Sequence, residues 1–269
     1  MNKIPPLQAR EFLREYTPPA DQPIVTIRDS VVGTLCNYVV FSGLPKVGKS
    51  TYVSGLIASA FMPQGVPVFS QKISPPVGRP RVALFDTESA PYDLHRTRER
   101  IRTLASRTYI PDTLDIYTLR EDPPHINRAF IEQYLHARPD CACVVVDGLL
   151  DLCMDYNDVT ETRAVTNWLK RITKTYNCCA VLVLHLSKNT GETLGHLGAN
   201  TDRWAQSTVT VRKNKEAAQL VMEPKFLRSA QDFEPVAIVW DEYAQRWRDD
   251  HYIIPQEPPK RGPGRPKKN

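Results

Sequence analysis

Residues 43–50 read Gly-Leu-Pro-Lys-Val-Gly-Lys-Ser, which fits the pattern G-x-x-x-x-G-K-[ST], and no other stretch constrains the folding of this chain so tightly. The pattern requires a strand before it and a helix after it. An apolar run at residues 36–41 reads as a buried strand, and residues 50–61 carry an apolar face at helical spacing. Gly43 and Gly48 permit backbone angles closed to other residues, so successive N–H groups can turn inward on phosphate oxygens at the positive end of the following helix. Lys49 would then reach the β and γ phosphates, and the Ser50 hydroxyl would ligate magnesium. The expected nucleotide contacts are Gly43, Leu44, Pro45, Lys46, Val47, Gly48, Lys49, Ser50 and Thr51.

Apolar runs at residues 82–86, 114–118, 142–147 and 180–185 alternate with helical patterns at residues 92–105, 126–137 and 160–176. Near-continuous apolar strands suit a sheet covered on both faces, so the pattern predicts an α/β fold on a mainly parallel sheet. Past residue 205, runs at 208–212, 220–222 and 236–240 are separated by short polar turns and predict an antiparallel C-terminal extension. Residues 63–80 hold five prolines and predict an irregular loop or hairpin. The expected organisation is an N-terminal arm (1–24), one nucleotide-binding domain (25–250) and a disordered basic tail (251–269).

Charge and cysteine usage narrow the class of protein. The chain has 35 basic and 30 acidic residues, but the last ten residues hold five basic and no acidic ones, leaving 30 of each in the body. The excess positive charge therefore lives in the tail. None of the six cysteines forms a C-x-x-C pair, and four lie in apolar runs, which favours buried thiols over a zinc site. The first residues lack an apolar leader and no run approaches the length of a membrane span, so the expectation is a soluble, cytoplasmic protein.

Three polar residues close the apolar runs. Asp147 ends Val-Val-Val-Asp, where an acidic group facing the loop would support magnesium; alternatively it is a turn residue before Gly148. Glu88, in Phe-Asp-Thr-Glu, would stand beside the γ-phosphate and deprotonate an attacking water, unless it is simply a solvated helix-start acid. His185 ends the 180–185 run, which should neighbour the Asp147 strand and place the imidazole near the γ-phosphate; a lone His at a strand end is otherwise an ordinary polar group.

Lys49 and Ser50, then Glu88, Asp147 and His185 in that order, resemble the RecA-like P-loop ATPase core of DnaB-type hexameric helicases, most closely the small RepA helicases of plasmids and related mobile-element ATPases. The resemblance covers roughly residues 25–245. It implies ATP with Mg2+ as cofactors, Glu88 as catalytic base and His185 as γ-phosphate sensor. It also implies a homo-oligomeric ring, a hexamer, whose sites are completed by a basic residue from the neighbouring subunit. Arg203, before Trp204, and the pair Lys225 and Arg228 are the candidates; the pair has one residue more between its members than the family's K-x-R.

Segments after the second and third motif strands project into the channel of such rings, which would bring Lys188 and Asn189 to single-stranded DNA. The tail around Arg265 resembles an AT-hook, an extended Gly-Arg-Pro core suited to an A·T-rich minor groove. The function expected is an oligomeric ATPase acting on DNA in replication or mobilisation of an accessory element. A DNA-tethered regulatory ATPase without unwinding activity is the alternative, and a monomeric P-loop kinase would leave Glu88 and His185 without roles. Tyr38, Tyr52 and Trp247 are candidates for stacking on adenine.

Overall fold

A computed structural model describes residues 21–188 and 191–254. Nine strands of the described residues form one sheet, built around β3 (Tyr38–Gly43), β5 (Arg81–Asp86), β6 (Leu114–Thr118), β7 (Cys141–Asp147), β8 (Cys179–His185) and β9 (Ser207–Asn214). These six run parallel in the order β9-β3-β8-β7-β5-β6. Beyond β9 the sheet continues antiparallel through β10 (Gln219–Leu227), β11 (Val236–Asp241) and β12 (Arg246–Asp250). Mainly parallel sheet with an antiparallel C-terminal extension is the predicted class.

The near-continuous apolar strands are explained by cover on both faces. Side chains alternate across a strand. On β7, Cys143 and Val145 join a core with the first helix, α1 (Lys49–Ser59), and the second, α2 (Pro91–Leu104). Val144 and Val146 join the opposite core, against α3 (Pro124–Ala137), α4 (Val159–Thr175) and α5 (Gly195–Trp204). A small antiparallel sheet, ordered β2-β1-β4 from β2 (Ser30–Thr34), β1 (Pro23–Ile27) and β4 (Gln71–Ile73), closes the first core with Ile24, Val25, Val32 and Ile73.

Three local readings need correction, and one is made more specific. The run at residues 208–212 is not itself the start of the antiparallel extension: β9 pairs parallel with β3, and only its other edge is antiparallel, to β10. The segment after His185, expected as a Gly-rich loop to residue 200, folds from Gly195 into α5, whose Leu197 and Thr201 are fully buried. Residues 63–80 hold, as expected of a loop or hairpin, a tight antiparallel turn in which Val68 pairs with Gln71, together with a short 3-10 turn at Pro63–Gly65 and the strand β4. Tyr38 and Tyr52 are 2 % and 0 % exposed, so neither ring can stack on a base in solvent. The parallel pairing of β9 escapes a reading by local pattern because its partner β3 is distant in sequence, and α5 is fixed by buried residues that pack on α4 and the sheet.

Most of the expected arm and most of the expected tail, residues 1–20 and 255–269, lie outside the described residues. Among the described residues no helix is long and apolar enough to cross a membrane. All six cysteines are free thiols, and five are buried.

Tyr52 serves the core. Its hydroxyl lies 2.8 Å from the Leu220 carbonyl oxygen and 2.7 Å from that of Val236, tying α1 to β10 and β11. Replacing Tyr52 with Phe should cost about 1–2 kcal/mol in urea unfolding, because it leaves buried carbonyls short of a donor, and should leave nucleotide affinity unchanged.

Candidate nucleotide site

The loop between β3 and α1 is clamped from below by β9 and β10. A Cβ on Gly43 would stand 2.4 Å from the Val211 carbonyl oxygen, and one on Gly48 would stand 2.4 Å from Leu220 Cδ1. Gly48 also has φ +92°, which side-chain-bearing residues rarely adopt. Lys46 sits in the left-handed region as well, at φ 62°. Leu44 and Lys46 are exposed while Val47 is anchored in the core, so the loop stands proud of the sheet on a fixed base. Gly48 caps α1 without a side-chain hydrogen bond, and the first turn holds no acidic residue. That helix end is suited to an anion.

Topology assembles the rest. Because β8 lies between β3 and β7, Gly43 pairs with His185 and Asp147 with Val183, so three carboxyl ends finish side by side. Lys49 is buried, its Nζ 2.9 Å from each of three acceptors: the carbonyls of Gly43 and Leu44 and the Nδ1 of His185. Burial pushes the Lys49 ammonium down to about 8, against the pull of Glu88 and Asp147. A charged ammonium can only donate, so Nδ1 of His185 accepts and Nε2 carries the proton. That Nε2 lies 2.8 Å from Glu88 Oε1, completing a line from Lys49 through His185 to Glu88.

Glu88 stands two residues beyond the end of β5, in a turn made by its neighbours. Asp86 is buried, and its Oδ1 accepts the amides of Glu88 (3.0 Å) and Ser89 (2.6 Å). The Thr87 hydroxyl lies 3.0 Å from the carbonyl oxygens of both Asp147 and Gly148 and 2.7 Å from Asp151 Oδ2, stitching the turn to β7. The hydrogen bond from His185 holds the Glu88 carboxyl below its usual value. Asp86 and Thr87 went unassigned in the sequence, although Asp two residues before an amide-bearing turn is the pattern that makes such turns.

Ser50 Oγ lies 2.9 Å from Asp147 Oδ2. Burial, with Asp86 nearby, pushes the Asp147 carboxyl up to about 6. A hydroxyl and one carboxylate, with an anion site beside them, are the small oxygen set that magnesium accepts when it keeps waters and phosphate oxygens as its other ligands. The residues therefore fit Mg2+, and a cation there would offset the cost of the buried charge. Among the described residues no group of three or more His, Cys, Asp or Glu could hold a metal by itself.

The remaining expected residues lie elsewhere. Arg203 lies in the last turn of α5 and Arg228 follows β10, both toward the edge where β3 begins, since Leu227 pairs with Ser207 and Ser207 with Val39, whereas Lys225 on β10 lies level with the middle of β3. A six-residue strand at ~3.3 Å per residue puts Arg203 and Arg228 about 20 Å from the loop of their own chain. The Arg228 guanidinium donates to the Arg203 carbonyl, and Lys225 Nζ is held 3.1 Å from Asp202 and 3.6 Å from Glu192. Lys188 is exposed beyond His185; Asn189 and Arg265 lie outside the described residues. Trp247 is half-buried against Trp240, on the hairpin of β11 and β12.

The fold holds Asp147 at a cost. Its carboxyl has an ordinary value of 3.8 and rises to about 6, so native protein binds the proton more tightly than unfolded chain does. Stability should therefore fall as pH rises from about 4 to about 6, by roughly 3 kcal/mol at most. In metal-free protein Asp147→Asn should remove that slope and unfold at higher urea than the parent at pH 7, while the two converge near pH 4. Urea titrations of both proteins across this range check it.

The AAA domain family matches residues 24–191, which span the loop, Glu88, Asp147 and His185. No curated protein matches the chain. With the match covering more than half of the 269 residues and the phosphate loop, magnesium pair and strand-end polar groups gathered at one edge of the sheet, the chain belongs to the AAA domain family of P-loop ATPases.

Proposed function

We propose that this protein hydrolyses ATP with Mg2+ as a ring-shaped homo-oligomer, a hexamer of the RepA and DnaB type, and acts on DNA during replication or mobilisation of a plasmid or other mobile element. The observation that carries the hydrolytic reading is the hydrogen-bonded line Lys49–His185–Glu88 beside the Ser50–Asp147 pair.

Each group has a job set by its position. The glycine loop and the start of α1 take the phosphates, and Lys49 moves its ammonium from the loop carbonyls onto them. Bound Mg2+ would supply neutralisation of charge on the β and γ oxygens, held through Ser50 and Asp147. Glu88, kept ionised by His185, accepts the proton of an attacking water. His185 reports whether Lys49 is engaged by phosphate, because Nδ1 loses its donor when the ammonium turns away. That would alter the hold of Nε2 on Glu88.

What one chain leaves out supports the ring. Arg203 and Arg228 are exposed, adjacent and about 20 Å from their own loop, so each can serve only a neighbour's phosphates. Lys225 is already engaged by two carboxylates, which makes the arginines the better fingers. Lys188, on the catalytic edge, is placed to meet a DNA strand beyond the ATP.

Glu88→Gln should bind ATP with near-parent affinity and lose about 10²–10⁴-fold in turnover, whereas Lys49→Ala should lose binding. An unchanged rate in Glu88→Gln sinks the assignment of the base. Removing the true finger, Arg203 or Arg228, should cost ~10³ in turnover without weakening ATP binding to the same degree. Mixing inactive Glu88→Gln chains with finger-deficient chains should then restore part of the activity, since active sites form between an intact loop and an intact finger. Native mass measured with an ATP analogue, alongside strand displacement, tests the ring and the action on DNA; a monomer at full turnover would remove both.

A further inference from the structure

Lys225 is aimed by an irregularity in the sheet. Pro224 pairs with Val209 and Phe226 with Thr208, so Lys225 between them is an extra residue with no counterpart on β9. A bulge of this kind turns a side chain out of the regular alternation of its strand. Here it delivers the ammonium to α5, 3.1 Å from Asp202 Oδ2, with the two side chains only 22 % and 11 % exposed. The same carboxylate accepts the Thr208 hydroxyl at 3.0 Å and the Thr193 hydroxyl at 3.3 Å. Glu192, beside Thr193, brings a second carboxylate to 3.6 Å from the ammonium.

Thr193 and Glu192 belong to the segment that follows His185. Leu186 gives its amide to the Gly43 carbonyl at 3.0 Å and bridges antiparallel to Thr193, and the Ser187 amide donates to the Glu192 carbonyl at 2.8 Å. Thr193 lies directly on α5: a Cβ at Gly198 would stand 2.5 Å from Thr193 Cβ. The backbone that follows the imidazole is thus moored to α5 and β10 around one ion pair. Removing either member leaves the other as a poorly solvated charge and loosens the mooring.

We propose that Lys225 is a positioning residue for the nucleotide site of its own chain. With Asp202 it fixes Thr193 and Glu192, and through Leu186 it holds His185 between Lys49 and Glu88. Its charge is spent within the chain, where a finger would spend it on a neighbour's phosphates. The inference rests on the ATPase reading of the site and deepens it.

Steady-state ATP turnover of the full chain is the test. Lys225→Ala and Asp202→Asn should each lower kcat about 10-fold while the KM for ATP stays at the parent value, since neither side chain belongs to the phosphate loop. The double variant should be no slower than either single one, and Lys225→Arg should recover most of the rate. Neither change should slow His185→Gln further, because residues that act through one group do not add. Parent-like or raised turnover in Asp202→Asn beside a slow Lys225→Ala overturns the proposal and returns Lys225 to the neighbour's phosphates. Equal losses in the parent and His185→Gln backgrounds overturn it in favour of a purely structural pair. Where urea titration shows that Lys225→Ala does not fold, the isosteric Asp202→Asn carries the comparison with His185→Gln. Parent-like kcat in both single variants overturns the role of Lys225 and leaves the ATPase reading standing, whereas absence of turnover in the parent protein removes that reading itself.

Discussion

The pairing of β8 between the strand that carries the phosphate loop and the strand that carries Asp147 is the constraint on which everything else depends. It sets Gly43 opposite His185, and so places an imidazole within reach of the buried Lys49 ammonium. With it, the ammonium rests on two carbonyls and a neutral ring, partners that phosphate can displace.

The site carries its chemistry in the form of unfavourable burial. Lys49 is driven down to about 8 and Asp147 up to about 6, each because a charge is kept where water is scarce. Ligands of opposite sign, phosphate for one and magnesium for the other, cancel both costs at once. The hydrogen bonds that hold Lys49 and Asp147 in place thus satisfy their polar atoms without removing the cost of burying their charges.

Strands β9 and β10 take part in the same arrangement. Val211 and Leu220 press on Gly43 and Gly48, fixing the loop from its rear. Tyr52 ties α1 to β10 and β11. The extension that reads in sequence as an appendage therefore supports the loop.

The glycine loop, the two-sided strands and the polar residues at their ends were legible in the sequence, because local spacing alone encodes them: a fixed motif, apolar runs and a single charged residue after each run. From these came the class of sheet and the set Lys49, Ser50, Glu88, Asp147 and His185. Strand order was not legible, since hydrogen bonding between β3 and β8 joins residues far apart in the chain, and with it went the contact between Lys49 and His185. Nor could spacing show that Asp86 presents Glu88 or that Tyr38 and Tyr52 are sealed in the core. Sequence determined which groups stand at the ends of the strands; tertiary structure decided which ends are neighbours, because only packing of the sheet and its helices brings distant segments within bonding distance.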